Sequence, residues 1–270
     1  MIQLTDKEFT ELRDYVLSNY GIDLSKKRML IQGRLTNTLT QKGFTTFTEY
    51  INLVKQDSTG TELQQMLNKL TTNLTYFLRE REHFDFLTNV ALPEFEQKFK
   101  GRQLRIWSAG CSSGEEPYTL AMTLSDFFAT RGGDQRFVIL ASDISQNVLG
   151  QAQRGIYTSD GLKDVPKSWL TKYFEKLDGG DYKVKENIKG KITFRTFNLM
   201  DPFRFKKPFE LIFCRNVMIY FDKQKKDELI GKFYTWTAPG GYFFVSHSEN
   251  IGRTDTGFKM VRPSTFKKEG

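Results

Sequence analysis

Residues Trp107–Tyr118 read WSAGCSSGEEPY. The apolar run Leu104–Trp107 that leads into them reads as a short strand. The Ser/Gly-rich middle reads as a turn, and Glu115 to Phe128 as a helix that opens on two carboxylates. Small residues let a ligand approach the backbone, and the helix N-terminus offers free N–H groups. A phosphate loop would need Lys-Ser/Thr after its second glycine, whereas Gly114 is followed by Glu115 and Glu116; the G-x-G-x-x-G spacing of dinucleotide folds is also absent. Negative charge at that point repels phosphate. A cationic or zwitterionic ligand fits better, and S-adenosylmethionine carries both an ammonium and a sulfonium. Acids also favour the first turn of any helix, which accounts for one of the two glutamates better than for both.

The same alternation continues outward from this stretch. Phe137–Ala141 (FVILA) and Leu211–Cys214 (LIFC) are near-continuous apolar runs, as expected of strands covered on both faces. A helix is predicted over Lys223–Trp236, after which Pro239-Gly240-Gly241 turns into a strand over Tyr242–Val245. Strand alternating with helix implies a parallel sheet flanked by helices, a doubly wound, Rossmann-like α/β domain over 101–270. Residues 155–195 interrupt it with Gly161, Pro166, Asp178-Gly179-Gly180-Asp181 and alternating segments near Tyr182–Lys185 and Ile192–Phe194, read as a small antiparallel insert.

Residues 1–72 read as a small all-helical domain. Thr5 with Glu8 fits a capping box, followed by Phe9, Leu12 and Val16 at helical spacing. A second helix from about Ser25 carries Ile31, Leu35 and Leu39 on one stripe and Lys27 and Arg34 on another. Phe47, Tyr50, Ile51 and Val54 mark a third helix, and Leu63, Met66, Leu67 and Leu70 a fourth. Residues 73–100 are expected to be linker helices between the two domains.

Composition bounds the function. The chain has 270 residues, 27% charged and 39% hydrophobic, which excludes a disordered tail or a disulfide-stapled scaffold. No apolar run approaches the ~20 residues of a membrane helix, and Met1–Thr10 lacks the apolar core of a signal peptide. Two cysteines, Cys111 and Cys214, and two histidines, His83 and His247, leave little material for a zinc site or a Cys/His catalytic pair, so no metal is expected. A cytoplasmic monomer is expected. The net charge of +8 suggests an acidic partner or a solubilising face and does not choose between them.

Three further segments carry chemistry. Asp143 ends the FVILASD run, where an acid either accepts hydrogen bonds from ribose hydroxyls or caps the helix after Ser145. Phe209–Phe221 (FELIFCRNVMIYF) puts Arg215, Asn216 and Tyr220 just past a buried strand, the edge where ligands bind in open α/β sheets. Thr71–Glu80 (TTNLTYFLRE) interleaves Asn73, Thr75 and Arg79 with Leu74, Phe77 and Leu78. By itself it reads as an amphipathic linker helix with Arg79 paired to Glu82 or Glu116.

These four segments, in this order and spacing, with SHSEN at Ser246–Asn250 as a further match, closely resemble the chemotaxis receptor methyltransferases, the CheR family. The resemblance covers nearly the whole chain. It implies S-adenosylmethionine-dependent methylation of glutamate side chains on chemoreceptor cytoplasmic helices, with S-adenosylhomocysteine as product. Carried over by residue, it implies cofactor contacts from Asn73, Thr75, Arg79, Glu115, Asp143, Asn198, Leu199, Arg215 and Asn216. Arg79 and Tyr220 would lie nearest the transferred methyl, and Lys27 and Arg34 would dock the acidic receptor helix. Relatives carry more arginines on that helix, where this chain has Asn37 and Thr38. The loop Glu175–Lys183 is shorter than in relatives whose insert binds a receptor peptide, so no such tether is expected. The competing readings are a methyltransferase acting on RNA or a small molecule, and a non-catalytic cofactor-binding receptor adaptor. RNA binding would call for a stacking platform of interleaved aromatic and basic residues, which is missing.

Overall fold

The computed structural model describes residues 2–70, 74–98, 101–132, 136–249, 251 and 256–269. The chain begins with four helices: α1 (Asp6–Tyr20), α2 (Arg28–Gln41), α3 (Phe47–Gln56) and α4 (Thr61–Leu70). Local signals set their ends. Thr5/Glu8 and Thr46/Glu49 form reciprocal capping boxes on α1 and α3, and Gly21 ends α1 in the left-handed conformation (φ 69°). The second helix starts at Arg28 rather than Ser25, because Ser25 is held in a turn by the Asp23 carboxylate, which accepts from its backbone N–H at 2.8 Å. The apolar stripes Leu12/Val16, Ile31/Leu35/Leu39, Tyr50/Ile51/Val54 and Met66/Leu67/Leu70 are all buried.

The connection to the sheet holds α5 (Glu82–Phe86), one π turn (Leu87–Ala91) and α6 (Leu92–Lys98). A linker helix over 71–80 is not what forms: Thr71–Asn73 lie outside the described residues, Leu74–Tyr76 are irregular, and Phe77–Arg81 are turn. Leu78 and Glu80 there take φ of 59° and 54°. Those left-handed values break any helix.

The remainder is β1 (Leu104–Ala109), α7 (Glu115–Ala129), β2 (Phe137–Asp143), α8 (Gln146–Arg154), β3 (Ile156–Tyr157), α9 (Lys167–Tyr173), β4 (Phe174–Lys176), β5 (Tyr182–Val184), α10 (Glu186–Lys189), β6 (Ile192–Thr196), β7 (Phe209–Phe213), α11 (Lys223–Trp236), β8 (Thr237–Phe244), β9 (Phe258–Arg262) and β10 (Thr265–Lys268). The seven-stranded sheet has the order β6-β2-β1-β7-β8-β10-β9. Its first five strands are parallel, and β10 is antiparallel to both its neighbours. A separate antiparallel sheet, β3-β5-β4, forms the insert. Ile192–Phe194, expected in that insert, instead begins the edge strand of the large sheet, with Ile192 facing Ile139 of β2. The short run ITF could pair either way by pattern alone, and the partner decided it.

Successive strand residues feed opposite faces. Ile106, Leu211, Phe213, Tyr242 and Phe244 pack with α5, α6, α7 and the insert, while Trp107, Ile212, Cys214, Phe243 and Val245 pack with α11 and the four N-terminal helices. Both faces are covered, which is why the strands are apolar throughout. Cys111 and Cys214 are buried free thiols. Among the described residues, no helix is long and apolar enough to cross a membrane.

Candidate active site

Strand order reverses between β1 and β7, and outside the carboxyl ends of such strands a crevice opens. A cavity lies there, walled by the turn after β1 (Gly110–Ser112), the end of β2 (Asp143, Ile144), the segment after β6 (Phe197–Leu199), the segment after β7 (Arg215–Val217, Tyr220, Phe221) and the 74–79 segment. Tyr20 and Ile22 from the end of α1 complete it. The helical domain is drawn onto this rim by an antiparallel bridge between Ile22 and Phe221, and by the Asp23 backbone N–H donating to the Tyr220 carbonyl at 2.7 Å.

Gly110 shows why the turn is small. It has φ of 87°, and a Cβ there would lie 2.2 Å from Cγ2 of Val217 on the opposite wall. The turn thus closes directly on the 215–220 segment, leaving its backbone exposed to a ligand. Asp143 sits beside it. Its carboxylate accepts from the Ser112 and Ser145 backbone N–H groups, both at 2.9 Å, and burial pushes its pKa up against those bonds. Asp143 is not the cap of α8, since Ser145 takes that place and its hydroxyl accepts from the Val148 N–H; Asp143 instead ties the turn to Ser145 and lines the cavity with acceptor capacity to spare.

The two glutamates that open α7 separate. Glu116 lines the cavity, accepting from the Ser108 hydroxyl at 2.6 Å and from Arg215 at 3.1 Å. Glu115, the residue expected at the cofactor, is not among the lining residues; its carboxylate accepts from the Ser113 hydroxyl at 2.8 Å. A helix rotates successive residues by ~100°, so only one of an adjacent pair faces the crevice. Burial raises the pKa of both.

Arg215 is the hub beneath the cavity. Its side chain is 2% exposed and pairs with Glu116 at 3.1 Å and Glu80 at 3.3 Å, and it donates to the Arg79 carbonyl. It thereby joins the end of β7 to α7 and to the 74–80 segment, which sequence pairing of Arg79 with an acid did not anticipate. The Arg79 guanidinium instead donates to the Leu74 carbonyl at 2.6 Å and lies 5.6 Å from the Tyr76 ring.

Of the other expected contacts, Thr75, Asn198, Leu199, Asn216 and Tyr220 line the cavity; Asn73 lies outside the described residues. The Asn198 amide is held at both ends, donating to the Asn19 carbonyl at 2.9 Å and accepting from the Met200 N–H at 3.0 Å. Lys27 and Arg34 part company. Lys27 sits at the rim with Nζ 4.7 Å from the Tyr220 ring, whereas Arg34 is half-buried and donates to the Lys69 carbonyl at 2.9 Å, tying α2 to α4. Lining residues that pattern did not single out include Tyr20, Ile22, Phe84 and Thr119, which meet only through long-range packing.

Behind Arg215, His83 is fully buried, and Ser264 Oγ lies 2.7 Å from its Nε2 and 3.0 Å from Nδ1 of His247. Burial, and then the charge of Arg215, push the His83 pKa down to about 3. Glu80, His83 and His247 could offer three ligand atoms to one ion. The Arg215 guanidinium beside the Glu80 carboxylate already supplies a positive charge there, so the cluster reads as an internal network.

The residues fit S-adenosylmethionine. The backbone of Gly110–Ser112 borders the cavity, the Asp143 carboxylate stands at the end of β2, and acidic Glu116 lies on the same wall. Comparison with known proteins agrees. Residues 7–71 match "CheR methyltransferase, all-alpha domain" and residues 73–266 match "CheR methyltransferase, SAM binding domain". A chemotaxis protein methyltransferase of Borreliella burgdorferi is 43% identical over 99% of this chain and 96% of its own length. One of Escherichia coli is 36% identical over 96% of this chain and 90% of its own length. With helical domain, crevice and glycine turn all in place, the chain belongs to the CheR family of S-adenosylmethionine-binding chemotaxis methyltransferases.

Proposed function

We propose that this chain methylates glutamate side chains on the cytoplasmic helical bundle of chemoreceptors, forming glutamate methyl esters, and that it does so as a cytoplasmic monomer. The observation that carries the reading is the Lys27 ammonium 4.7 Å from the Tyr220 ring, at the rim of the cavity that Tyr220 lines. A cation fixed at the entrance suits an acidic acceptor. Lys27 meets the incoming carboxylate, Tyr220 and Arg79 orient it inside, and Arg34 serves the bundle rather than the partner.

When bound, S-adenosylmethionine supplies a methyl group made electrophilic by its sulfonium. Asp143 holds the ribose, Glu116 takes the place first assigned to Glu115, and Thr75, Asn198, Leu199 and Asn216 enclose the rest. A glutamate of ordinary pKa near ~4.3 is ionised at neutral pH, so the enzyme needs no general base. Charges of opposite sign cancel as the new bond forms, and water opposes such a step. The work of the residues is therefore alignment and exclusion of water. Phe197, Tyr20 and Ile22 line the cavity with apolar surface that serves the second task.

The test is transfer of labelled methyl from S-adenosylmethionine to chemoreceptor-containing membranes, followed by alkali. Label released as volatile methanol is the expected result; alkali-stable label overturns the ester. Arg79→Ala and Tyr220→Phe should each lower turnover by ~10²-fold. Unchanged turnover in both would remove them from the catalytic step. Transfer should also weaken with salt as the Lys27 attraction is screened.

A further inference from the structure

Glu249 lies in the SHSEN segment just beyond β8, is 8% exposed, and does not line the cavity. Its carboxylate is nonetheless aimed at the cavity's wall from behind. One oxygen accepts from the backbone N–H of Asn216 at 3.0 Å and of Ser246 at 2.8 Å, and the other from the N–H of Ile219 at 3.2 Å. These three donors lie in the segments that follow two adjacent parallel strands, Asn216 and Ile219 after β7 and Ser246 after β8. A single buried carboxylate therefore clamps the loop that carries Asn216 and Tyr220 to the end of the neighbouring strand.

The clamp holds something that needs holding. Asn216 has φ of 60°, a left-handed conformation that asparagine adopts more readily than other residues with a side chain but that still ranks below the right-handed one. Opposite it, Val217 bears on Gly110 with no room for a Cβ, so a small shift of this loop would collide with the cofactor turn. Hydrogen bonds to an ionised acceptor are roughly twice as strong as neutral ones. We propose that Glu249 is a positioning residue for methyl transfer: its carboxylate fixes the 216–220 loop so that Asn216 and Tyr220 face the cavity. The inference rests on the assignment of Tyr220 to the transfer step, and its test separates the two.

Glu249→Gln keeps the shape but replaces one acceptor oxygen with an amide donor facing backbone donors. Hydrogen–deuterium exchange over residues 215–221 should show lost protection at Asn216 and Ile219. S-adenosylhomocysteine affinity, read by calorimetry, should fall about fivefold or more, with Tm within a few degrees of the parent. Neither readout needs a receptor, so both stand even if the parent chain fails to methylate one. In the transfer assay, Glu249→Gln should lower kcat about tenfold or more with acceptor KM little changed. In a Tyr220→Phe background the same substitution should cost less than about threefold, because the step it supports is already gone. Equal losses in both backgrounds, or unchanged protection and affinity, would overturn the proposal. Should Glu249→Gln fold poorly, Glu249→Asp keeps the charge but shortens its reach, and must lose protection at Ile219 to support the clamp.

Discussion

The four N-terminal helices and the loops around the cavity are built on opposite terms. In the helices, local devices set several of the ends, with capping boxes on α1 and α3 and a left-handed glycine after α1, and the apolar stripes bury completely. Around the cavity, four non-glycine residues (Leu78, Glu80, Ser112 and Asn216) take positive φ, and Arg215, Glu116, Glu80 and Asp143 place charge in low-dielectric surroundings. The fifth described non-glycine residue at positive φ, Ser264, holds His83 and His247 behind the same site. Backbone strain is thus concentrated around the cavity: among the described residues of the helical domain only glycines take positive φ, and its buried carboxylate, Glu8, is satisfied by the Thr5 and Thr48 backbone N–H groups. The helices carry end signals of their own and share a core with one face of the sheet, whereas the loops depend on distant polar partners for their shape.

That contrast can be broken experimentally. Arg215→Met should be the most damaging change, since it leaves Glu116 and Glu80 buried without their cation. A loss of about 3–5 kcal/mol is expected in urea unfolding, together with weaker cofactor binding. A loss under 1 kcal/mol would mean that the network is not a structural hub. Leu35→Ala, in the core of the helical domain, should cost about 2–5 kcal/mol in the same measurement while leaving kcat per folded molecule unaltered. An equal fall in kcat would tie the two regions more closely than their construction suggests.

The next effect is in pH. The His83 pKa is pushed down to about 3 in the folded chain, while the unfolded chain titrates near 6.5. Its stability contribution is complete above pH 6.5 and is lost as pH falls toward 3, because the unfolded state takes up the proton first. At pH 5 this amounts to about 2 kcal/mol relative to pH 7.5. Unfolding curves at the two pH values should differ by that amount more in the parent than in His83→Phe. The smallest effect is Thr46→Ala, which removes the capping box of α3 and should cost about 1 kcal/mol with no change in transfer.

Much of this is legible in the sequence. WSAGCSSGEEPY carries its strand, turn and helix in local chemistry, so β1 and α7 fall where the pattern places them. Asp143, Arg215, Asn216 and Tyr220 could be assigned to the crevice because they follow apolar runs that a parallel sheet must bury. The segment around Arg79 was not legible. Its pattern is helical, yet Arg215 draws in the Arg79 carbonyl and the Glu80 carboxylate from 136 and 135 positions away in sequence, and the backbone bends into a turn.

By itself, then, the sequence determined the helices, the alternation of strands and the family, because capping, periodicity and glycine turns act over a few residues. Only the tertiary structure decided that Glu116 faces the cavity in place of Glu115, that Ile192 joins the large sheet, that Arg34 braces the bundle while Lys27 guards the rim, and that Glu249 clamps the loop of Tyr220. Each of these depends on which partner a polar group or strand edge meets across the fold. Local pattern carries no record of that meeting.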